Sequence, residues 1–328
     1  MTRLAWPLLA ALVVAALMLP FGIHEQLLTA AITALQLIYL AQCWNIVAGY
    51  AGQFSLGHSV FLGIGAYTST VLFLTFGVSP WLGAIAGAAL AAVAGVALGA
   101  LAFRYRVRGV FFAVLTLGSM EVVRGIVPNL DAIGGANGLF IPMADAPYNM
   151  LFNDRRPYYW IALAMVVLMA VLTAVMERSK FGQYLLAIRE DEDAAEASGV
   201  NAFRSKLMAV ALSAALTAFG GTFYAQFMLY IAPDTTFVFE HQLNMMLGTM
   251  VGGTGTVAGP IVGSAVFSVI AEALRHLPLG ENIRIEPVSQ IVYASILMIM
   301  MLVLPGGLVS LVRRNRRLSA MAVQGDTG

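Results

Sequence analysis

The sequence predicts an all-α integral membrane protein with about ten transmembrane helices, some of them interrupted, and with both termini in the cytoplasm. Composition is the first observation: the 328 residues have a mean hydropathy of +0.84, and only 11% of them are charged. About a quarter of the residues in an average soluble domain are charged, so these charges are too few to cover a soluble surface. The second observation is that apolar stretches of about 18 residues, the length that crosses a bilayer, recur along the chain.

About ten stretches qualify as candidate spans, although the eighth is short. At 1.5 Å per residue the eighth covers about 18 Å of a hydrocarbon core of about 30 Å, so it is either re-entrant or kinked against its neighbour. The first has no small-x-small cleavage site, and we interpret it as an uncleaved span. The predicted spans are residues 5–22, 27–48, 54–77, 81–103, 110–128, 158–176, 207–230, 241–252, 258–276 and 287–304.

The orientation follows from Lys and Arg, which collect in cytoplasmic loops. With an internal N-terminus and strict alternation of the spans, most of the 18 basic residues are cytoplasmic. The reverse orientation would place them outside. We therefore expect a transmembrane domain over residues 1–312, with its main cytoplasmic loop at 177–206 and an external segment at 129–157. A basic cytoplasmic tail over 313–328 follows it.

The first interrupted segment is "NIVAGYAGQFSLGHSVFLGIGAY", residues 45–67. Its glycines permit close helix packing, and they also permit a broken helix whose backbone lines a cavity enclosed by protein. Transporters use such broken helices near the substrate path. Tight packing is the alternative for every glycine here. The candidate residues for a translocation path are Gln53, Ser55, Gly57 and His58.

The second interrupted segment is "LGTMVGGTGTVAGPIVGSAVF", residues 247–267, which follows the short eighth span. Two interrupted membrane segments in one chain point to the working part of a transporter. The further candidates for the path are therefore Gly252, Gly253 and Gly255.

Glu121 is the remaining candidate for the path. It lies three residues before Arg124 in the fifth span, so the two side chains share a helix face. A charge at the centre of a bilayer costs about 2.5–3.5 kcal/mol on insertion scales, which argues for a function. The alternative is that Arg124 extends to the outer interface and Glu121 neutralises it.

Several kinds of site are missing from the sequence. It has no phosphate-loop motif, no nucleophile elbow, no H-E-x-x-H motif and no dinucleotide-binding fingerprint in the context of a strand. Cys43 is the single cysteine, and no Cys/His spacing suits a metal. A net charge of +1 gives no sign of nucleic-acid binding. We therefore expect no catalytic residues, no metal and no cofactor in this chain, and any ATP would be hydrolysed by another chain.

An acidic stretch, "REDEDAAEASG", occupies residues 189–199 of the loop 177–206. Its composition predicts a helix over about 182–197, and Gly199 stands where a helix end favours a left-handed residue. The stretch is either a solvated amphipathic loop or a short docking helix for a soluble partner.

Here the sequence resembles a known family. Asp193-Ala194-Ala195-x-x-x-Gly199 is similar to the EAA-x-x-x-G signature of ABC importer permeases, with Asp in place of Glu. The wider "AIREDEDAAEASGVN" resembles permeases of high-affinity branched-chain amino acid (leucine/isoleucine/valine) importers. Further segments resemble the same family in the same order: both interrupted segments, "VRGVFFAVLTLGSMEVVRG", "GGANGL" and the closing "LPGGL". Together they cover about residues 45–306.

The resemblance implies that the loop 177–206, hereafter the coupling loop, docks into a groove of a nucleotide-binding subunit. Through this contact, motion driven by ATP would reach the spans. Charged faces give such docking its specificity and register. The residues implied in this coupling are Arg189, Glu190, Asp191, Asp193, Ala194, Ala195 and Gly199.

The resemblance also implies partners: a second homologous permease, two ATP-binding subunits that hold ATP and magnesium, an external (periplasmic) substrate-binding protein, and the lipid of a bacterial cytoplasmic membrane. The implied cargo is leucine, isoleucine or valine, with urea, short amides or other amino acids as alternatives. An ion-coupled secondary transporter is the runner-up, and it would need titratable groups near mid-membrane, of which Glu121 is the candidate. No paired acid and base residues support a membrane enzyme.

Overall fold

The computed structural model describes residues 18, 20–22, 24–143, 146–275, 295, 307 and 308, with backbone only at 274 and 275. All of the tenth predicted span except residue 295, most of the first, and the basic tail lie outside the described residues. The described chain is mostly helical. Its helices are α1 (Glu25–Asn45), α2 (His58–Phe76), α3 (Pro80–Arg104), α4 (Val110–Ile126), α5 (Arg156–Arg178), α6 (Lys180–Glu190), α7 (Glu192–Ala197), α8 (Ala202–Met228), α9 (Pro233–Thr236), α10 (Phe239–Gly252) and α11 (Ala258–Arg275).

Six of these helices are long and apolar enough to cross a membrane: α1, α2, α3, α4, α5 and α8. They coincide with the second to seventh predicted spans. The eighth predicted span is α10, which has only 14 residues, and the ninth is α11, with 18. About ten spans and cytoplasmic termini therefore remain predictions, whereas six candidate membrane helices are found among the described residues.

The long helix α8 lies at the centre of one group, where it packs along α2 and α3. Small residues allow the contact. A Cβ on Gly65 would lie 1.9 Å from the carbonyl oxygen of Ala218, and one on Gly221 would lie 1.9 Å from that of Leu62. Backbone therefore packs on backbone, as is typical where small residues join membrane helices. A second group is built around α1, which packs on α5, α10 and α11.

The loops gather at two ends of the helices. At one end, Arg108 between α3 and α4 pairs with Glu192 of α7 at 3.2 Å. At the other, Ser79 before α3 donates to the carbonyl of Tyr148 at 2.6 Å. Strand β1 (Leu139–Phe140) also pairs there with β2 (Tyr230–Ile231), antiparallel. The segment 129–157, which the sequence predicts to be external, contains β1 and short 3-10 helices at Asp131–Ile133, Gly135–Asn137 and Pro147–Asn149, and a further one, Val127–Asn129, ends at its start.

This grouping of loops predicts a labelling pattern. The buried Cys43 is the single cysteine of the chain, so an introduced cysteine should be labelled without background. Glu196→Cys on α7 should react with an impermeant maleimide only in inverted vesicles, and Tyr148→Cys only in intact cells, because the two exposed sites lie at opposite ends. Labelling of both from one side would contradict the arrangement, and a clean exchange of the two results would reverse the orientation.

Candidate functional site

The first interruption lies between α1 and α2. Helix α1 ends in a π-helical turn (Ile46–Tyr50), and residues 51–57 are not helical. Gly52 has φ +67°, in the left-handed region that favours glycine. A Cβ on Gly57 would lie 2.4 Å from the carbonyl oxygen of Thr116, so α4 crosses directly over the break. The Thr116 hydroxyl also accepts from the Leu56 N–H at 2.9 Å.

A glutamine from α10 satisfies the backbone of this break. Gln242 is fully buried; its Nε2 donates to the carbonyl of Ser55 at 3.0 Å, and its Oε1 accepts from the backbone N–H of His58 at 2.8 Å. Trp44 Nε1 donates to the same Ser55 carbonyl at 2.8 Å. The start of a helix leaves N–H groups without partners, and Gln242 supplies one of those partners for α2.

The imidazole of His58, on α2, links the break to α8. Its Nδ1 lies 3.0 Å from Ser55 Oγ and its Nε2 lies 2.9 Å from Ser213 Oγ of α8. Because the Ser213 hydroxyl donates to the carbonyl of Cys43 at 2.7 Å, it accepts from His58, which places the proton on Nε2. Both ring nitrogens are therefore occupied, and this geometry is that of a packing residue.

Gln53 is also buried, with its Nε2 donating to the carbonyl of Ala51 at 3.2 Å. Its Oε1 has no partner among the described residues.

The second interruption lies between α10 and α11 and touches the first. A Cβ on Gly252 would lie 1.7 Å from the Gly259 carbonyl oxygen, so the two helices meet at backbone distance. Gly253 and Gly255 both have positive φ, at +123° and +69°. Asn45, at the end of α1, spans the turn: its Oδ1 accepts from the Gly255 N–H at 2.8 Å, and its Nδ2 donates to the carbonyl of residue 256 at 3.0 Å.

One side chain of the coupling loop reaches both interruptions. Arg189 Nη1 donates to the carbonyl of Gly49 at 2.7 Å. A Cβ on Gly255 would lie 2.1 Å from the same nitrogen, and one on Gly52 would lie 3.0 Å from Arg189 Cγ. We call these residues, together with Asn45, the junction. The structure thus brings Arg189 and Gly255 together, two candidates that the sequence had placed in separate sites.

The coupling loop contains two helices, so the single helix predicted over 182–197 is wrong. The chain is extended at Asp191 (φ −156°), between α6 and α7. Its carboxylate accepts from the N–H groups of Asp193 and Ala194, both at 3.0 Å. Asp is a strong N-cap residue, and here it begins a second helix within a stretch of helix-forming residues. Gly199 has φ +88°, as expected for a residue that ends a helix.

Ion pairs hold the coupling loop against the rest of the chain. Arg108 lies 3.2 Å from Glu192 and 3.1 Å from Asp193. Lys206 lies 2.5 Å from Glu192 and 4.7 Å from the ring centroid of Phe103, with its side chain only 3% exposed. The hydrogen bond from Arg108 lowers the pKa of Asp193, so this carboxylate stays ionised at pH values where an ordinary aspartate begins to protonate.

The coupling loop therefore has an inner and an outer face. Ala195 is buried against Ile188 and Ala202, and the Arg189 guanidinium reaches the junction. Among the sequence-predicted coupling residues, only Ala195 is buried, and the exposed ones are Arg189, Glu190, Asp191, Asp193, Ala194 and Gly199.

Glu121 lies apart from the junction, and its place in a translocation path stays a prediction. It lies on the exposed face of α4, and within the described chain no hydrogen bond or ion pair joins it to the residues around the interruptions. Arg124 lies 3.7 Å from Asp234, at the end opposite the coupling loop. The aspartate, rather than Glu121, is thus the charge partner of Arg124.

Sequence reasoning missed several residues that complete the site: Asn45, Ser213 and Gln242 within the helices, and Arg108 and Lys206 beside the loop. Asn45 and Ser213 are single polar residues within apolar stretches, which is a usable signal because such groups require partners in a membrane. Gln242 stands among other polar residues, Glu240, His241 and Asn244, so no such signal marks it.

The junction predicts opposite effects for two glycine substitutions. A methyl group at Gly49 would lie 1.9 Å from Asn45 Oδ1 and 2.5 Å from the Gly255 nitrogen, whereas one at Gly118 meets nothing within 4 Å. Gly49→Ala should therefore destabilise the protein by about 1–3 kcal/mol. Gly118→Ala should leave stability unchanged or raise it by up to about 1 kcal/mol. Thermal unfolding in detergent measures both, and equal midpoints would contradict the close contact at Gly49.

Comparisons with known proteins agree with the resemblance. The family described as a permease component of branched-chain amino acid transport systems matches residues 26–304. The high-affinity branched-chain amino acid transport system permease protein LivM of Escherichia coli (strain K12) is 28% identical over 97% of this chain and 78% of its own length. The L-arabinose transport system permease protein AraH of the same organism is 26% identical over 81% of this chain and 78% of its own. No solved structure matches the chain significantly.

The matched segment contains the coupling loop, the junction and all but the first residue of α1. The long apolar helices agree with a multi-pass protein of the bacterial inner membrane. Such relatives are the transport components of ABC importers and are not enzymes. The chain therefore belongs to the family of branched-chain amino acid transport system permease components.

Proposed function

We propose that this permease carries branched-chain amino acids across the inner membrane, and that its coupling loop receives ATP-driven motion from ATPase subunits. The observation that carries the proposal is the reach of Arg189 from the coupling loop to both interrupted membrane segments. A loop that only joined two spans would have no need of this contact.

The geometry suggests how motion would pass through the chain. Helices α6 and α7 are held between α5 and α8, so they can move as a rigid piece with the ends of those helices. The pairs of Glu192 with Arg108 and Lys206 keep the loop together with the turn between α3 and α4. Displacement of α6 would then move the Gly49 carbonyl through Arg189.

The outer face of the coupling loop suits a docking partner. The side chains of Glu190 and Asp193 are 79% and 76% exposed. The small residues Ala194 and Gly199 follow them in the sequence and are also exposed. Charges on such a face set the specificity and register of docking, and small residues allow close approach. Each of two ATP-binding subunits, holding ATP and magnesium, would dock on one permease: this chain or a second homologous one. An external substrate-binding protein would deliver the cargo at the opposite end.

The substrate proposal rests on the range of relatives. LivM of E. coli is similar over 97% of this chain, whereas AraH and the galactose/methyl galactoside import permease protein MglC of the same organism match 81% and 50% of it. Branched-chain amino acids are therefore the first choice, and other amino acids, urea, short amides and sugars are alternatives for the uptake assay.

Composition of the purified complex tests the proposal. The tagged chain, solubilised gently from native membranes, should bring with it two ATPases that contain phosphate loops and a second multi-span protein. Proteoliposomes of this complex with the binding protein should take up leucine only with ATP inside. A chain that purifies alone, and whose uptake survives ATP depletion but collapses with the proton gradient, would instead be a secondary transporter.

Arg189 predicts a specific defect. Arg189→Ala should leave the complex assembled and its ATP hydrolysis active, because the docking face is kept. Leucine uptake per ATP should fall about tenfold, since a hydrogen bond to a charged group contributes about 1.5–3 kcal/mol. Arg204→Ala is the matched control, because Arg204 is an exposed arginine of the same loop that makes none of the junction contacts. Equal uptake per ATP in both variants would show that Arg189 does not couple the two processes.

A further inference from the structure

A cavity of about 400 Å³ opens at the end of the molecule opposite the coupling loop. Its walls come from α1, from the last turn of α8 and from residues 234–244, which include the first turns of α10. This is the end at which β1 pairs with β2, two residues before α9 begins. In the predicted orientation the cavity therefore faces outward, where a binding protein would release its cargo. Neither the sequence pattern nor the junction had indicated it.

One wall of the cavity is apolar. It consists of Leu37, Leu40, Met228 and Val238. Such a wall suits an aliphatic group of a few carbons, because burial of each CH₂ contributes about 0.8 kcal/mol in other proteins. A ligand pocket is typically built in this way, with an apolar surface and a few polar groups that fix orientation.

Two carboxylates stand at the mouth of the cavity. Asp234 and Glu240 both line it, and both are exposed. Asp234 is also 3.7 Å from Arg124, a distance that leaves its oxygens open to a second cation. Carboxylates at this position favour a ligand with an ammonium group.

The start of α10 supplies hydrogen-bond donors for an anionic group of the ligand. This helix has 14 residues, and its N-cap residue, Val238, makes no side-chain capping bond. Its first N–H groups therefore offer donors and a partial positive charge at the cavity, to which a carboxylate can bind.

A buried side chain gives independent support for a ligand. Gln36 of α1 is only 5% exposed and lines the cavity, yet its amide has no hydrogen-bond partner among the described residues. The amide atoms of Gln36 are not fully enclosed, so they face the open cavity and can hydrogen-bond to a polar group of a ligand there. The NH₂ group of Gln36 would donate to the ligand carboxylate that also binds the N–H groups at the start of α10.

We propose that this cavity binds a zwitterionic α-amino acid with an aliphatic side chain, and that it is the first site at which the permease binds its substrate. The carboxylate lies between Gln36 and the start of α10, the ammonium group lies at Glu240 and Asp234, and the side chain lies on the Leu37 wall. This inference rests on the proposed transport function and adds the site at which the substrate is recognised.

Cysteine protection in the assembled importer tests the site. Thr33 is exposed at the cavity, and Thr33→Cys should react with a small polar maleimide, because the only native cysteine is buried. L-leucine at about ten times its dissociation constant should slow this reaction about tenfold. Isocaproate, which lacks the ammonium group, and isoamylamine, which lacks the carboxylate, should protect at concentrations at least about tenfold higher. Thr75→Cys, exposed at the same end on α2 but away from the cavity, should react at an unchanged rate.

A pair of glutamines provides the matched variants. Gln36 and Gln42 lie on the same helix, are 5% and 1% exposed, and neither makes a side-chain hydrogen bond within the described chain. Gln42 does not line the cavity. Gln36→Leu should abolish protection by leucine at Thr33→Cys, whereas Gln42→Leu should retain it. Glu240→Gln should weaken protection by leucine at least about tenfold and leave the weak protection by isocaproate unchanged.

The outcomes separate this site from the proposed function. If proteoliposomes take up leucine with ATP but leucine does not slow labelling of Thr33→Cys, the site is wrong and the function stands. Equal loss of protection in Gln36→Leu and Gln42→Leu, or equal protection by isocaproate and leucine, would also overturn the site. If L-arabinose protects and leucine is neither taken up nor protective, both the site and the proposed cargo are wrong.

Discussion

The structure depends on one constraint: in a bilayer, backbone N–H and C=O groups must find partners within the protein. A continuous helix meets this requirement alone, but the chain leaves helical geometry at 51–57 and again at 253–257. Side chains from other elements satisfy the groups that become free. Gln242 serves the first break, Asn45 serves the second, and Arg189 binds the carbonyl that ends α1. The irregular segments exist only because the fold around them supplies these partners.

This dependence joins distant parts of the chain into one unit. The two breaks meet at Gly49 and Gly255 without any intervening side chain, since a Cβ on Gly49 would overlap the Gly255 nitrogen. Two segments packed this closely have few intermediate arrangements, because close-packed interiors switch between discrete arrangements more readily than they deform continuously. A displacement at α6 therefore has a direct route into the membrane-embedded segments, whereas an ordinary surface loop would have none.

The polar groups of the chain are divided between the two ends of the helices. At one end, the acidic residues of the coupling loop either pair inward, as Glu192 does with Lys206, or remain exposed, as Glu190 does. At the other end, Glu240 and Gln36 face a cavity with an apolar wall. The long helices between the ends carry few charges, in keeping with their composition. The proposed docking face and the proposed cargo site therefore lie at opposite ends, and the junction lies on the side of the coupling loop.

The sequence by itself determined what local chemistry controls. Hydrophobic length predicted six of the membrane helices, glycine content predicted both interruptions, and Gly199 marked the end of the coupling helices. Tertiary structure decided what depends on contacts between distant residues. His58 proved to be held by Ser213, Glu121 faced away from the site, and Asp191 divided the predicted helix by capping a second one. The physical reason is that periodicity and composition report burial, while the partner of a buried polar group is chosen by how the helices pack.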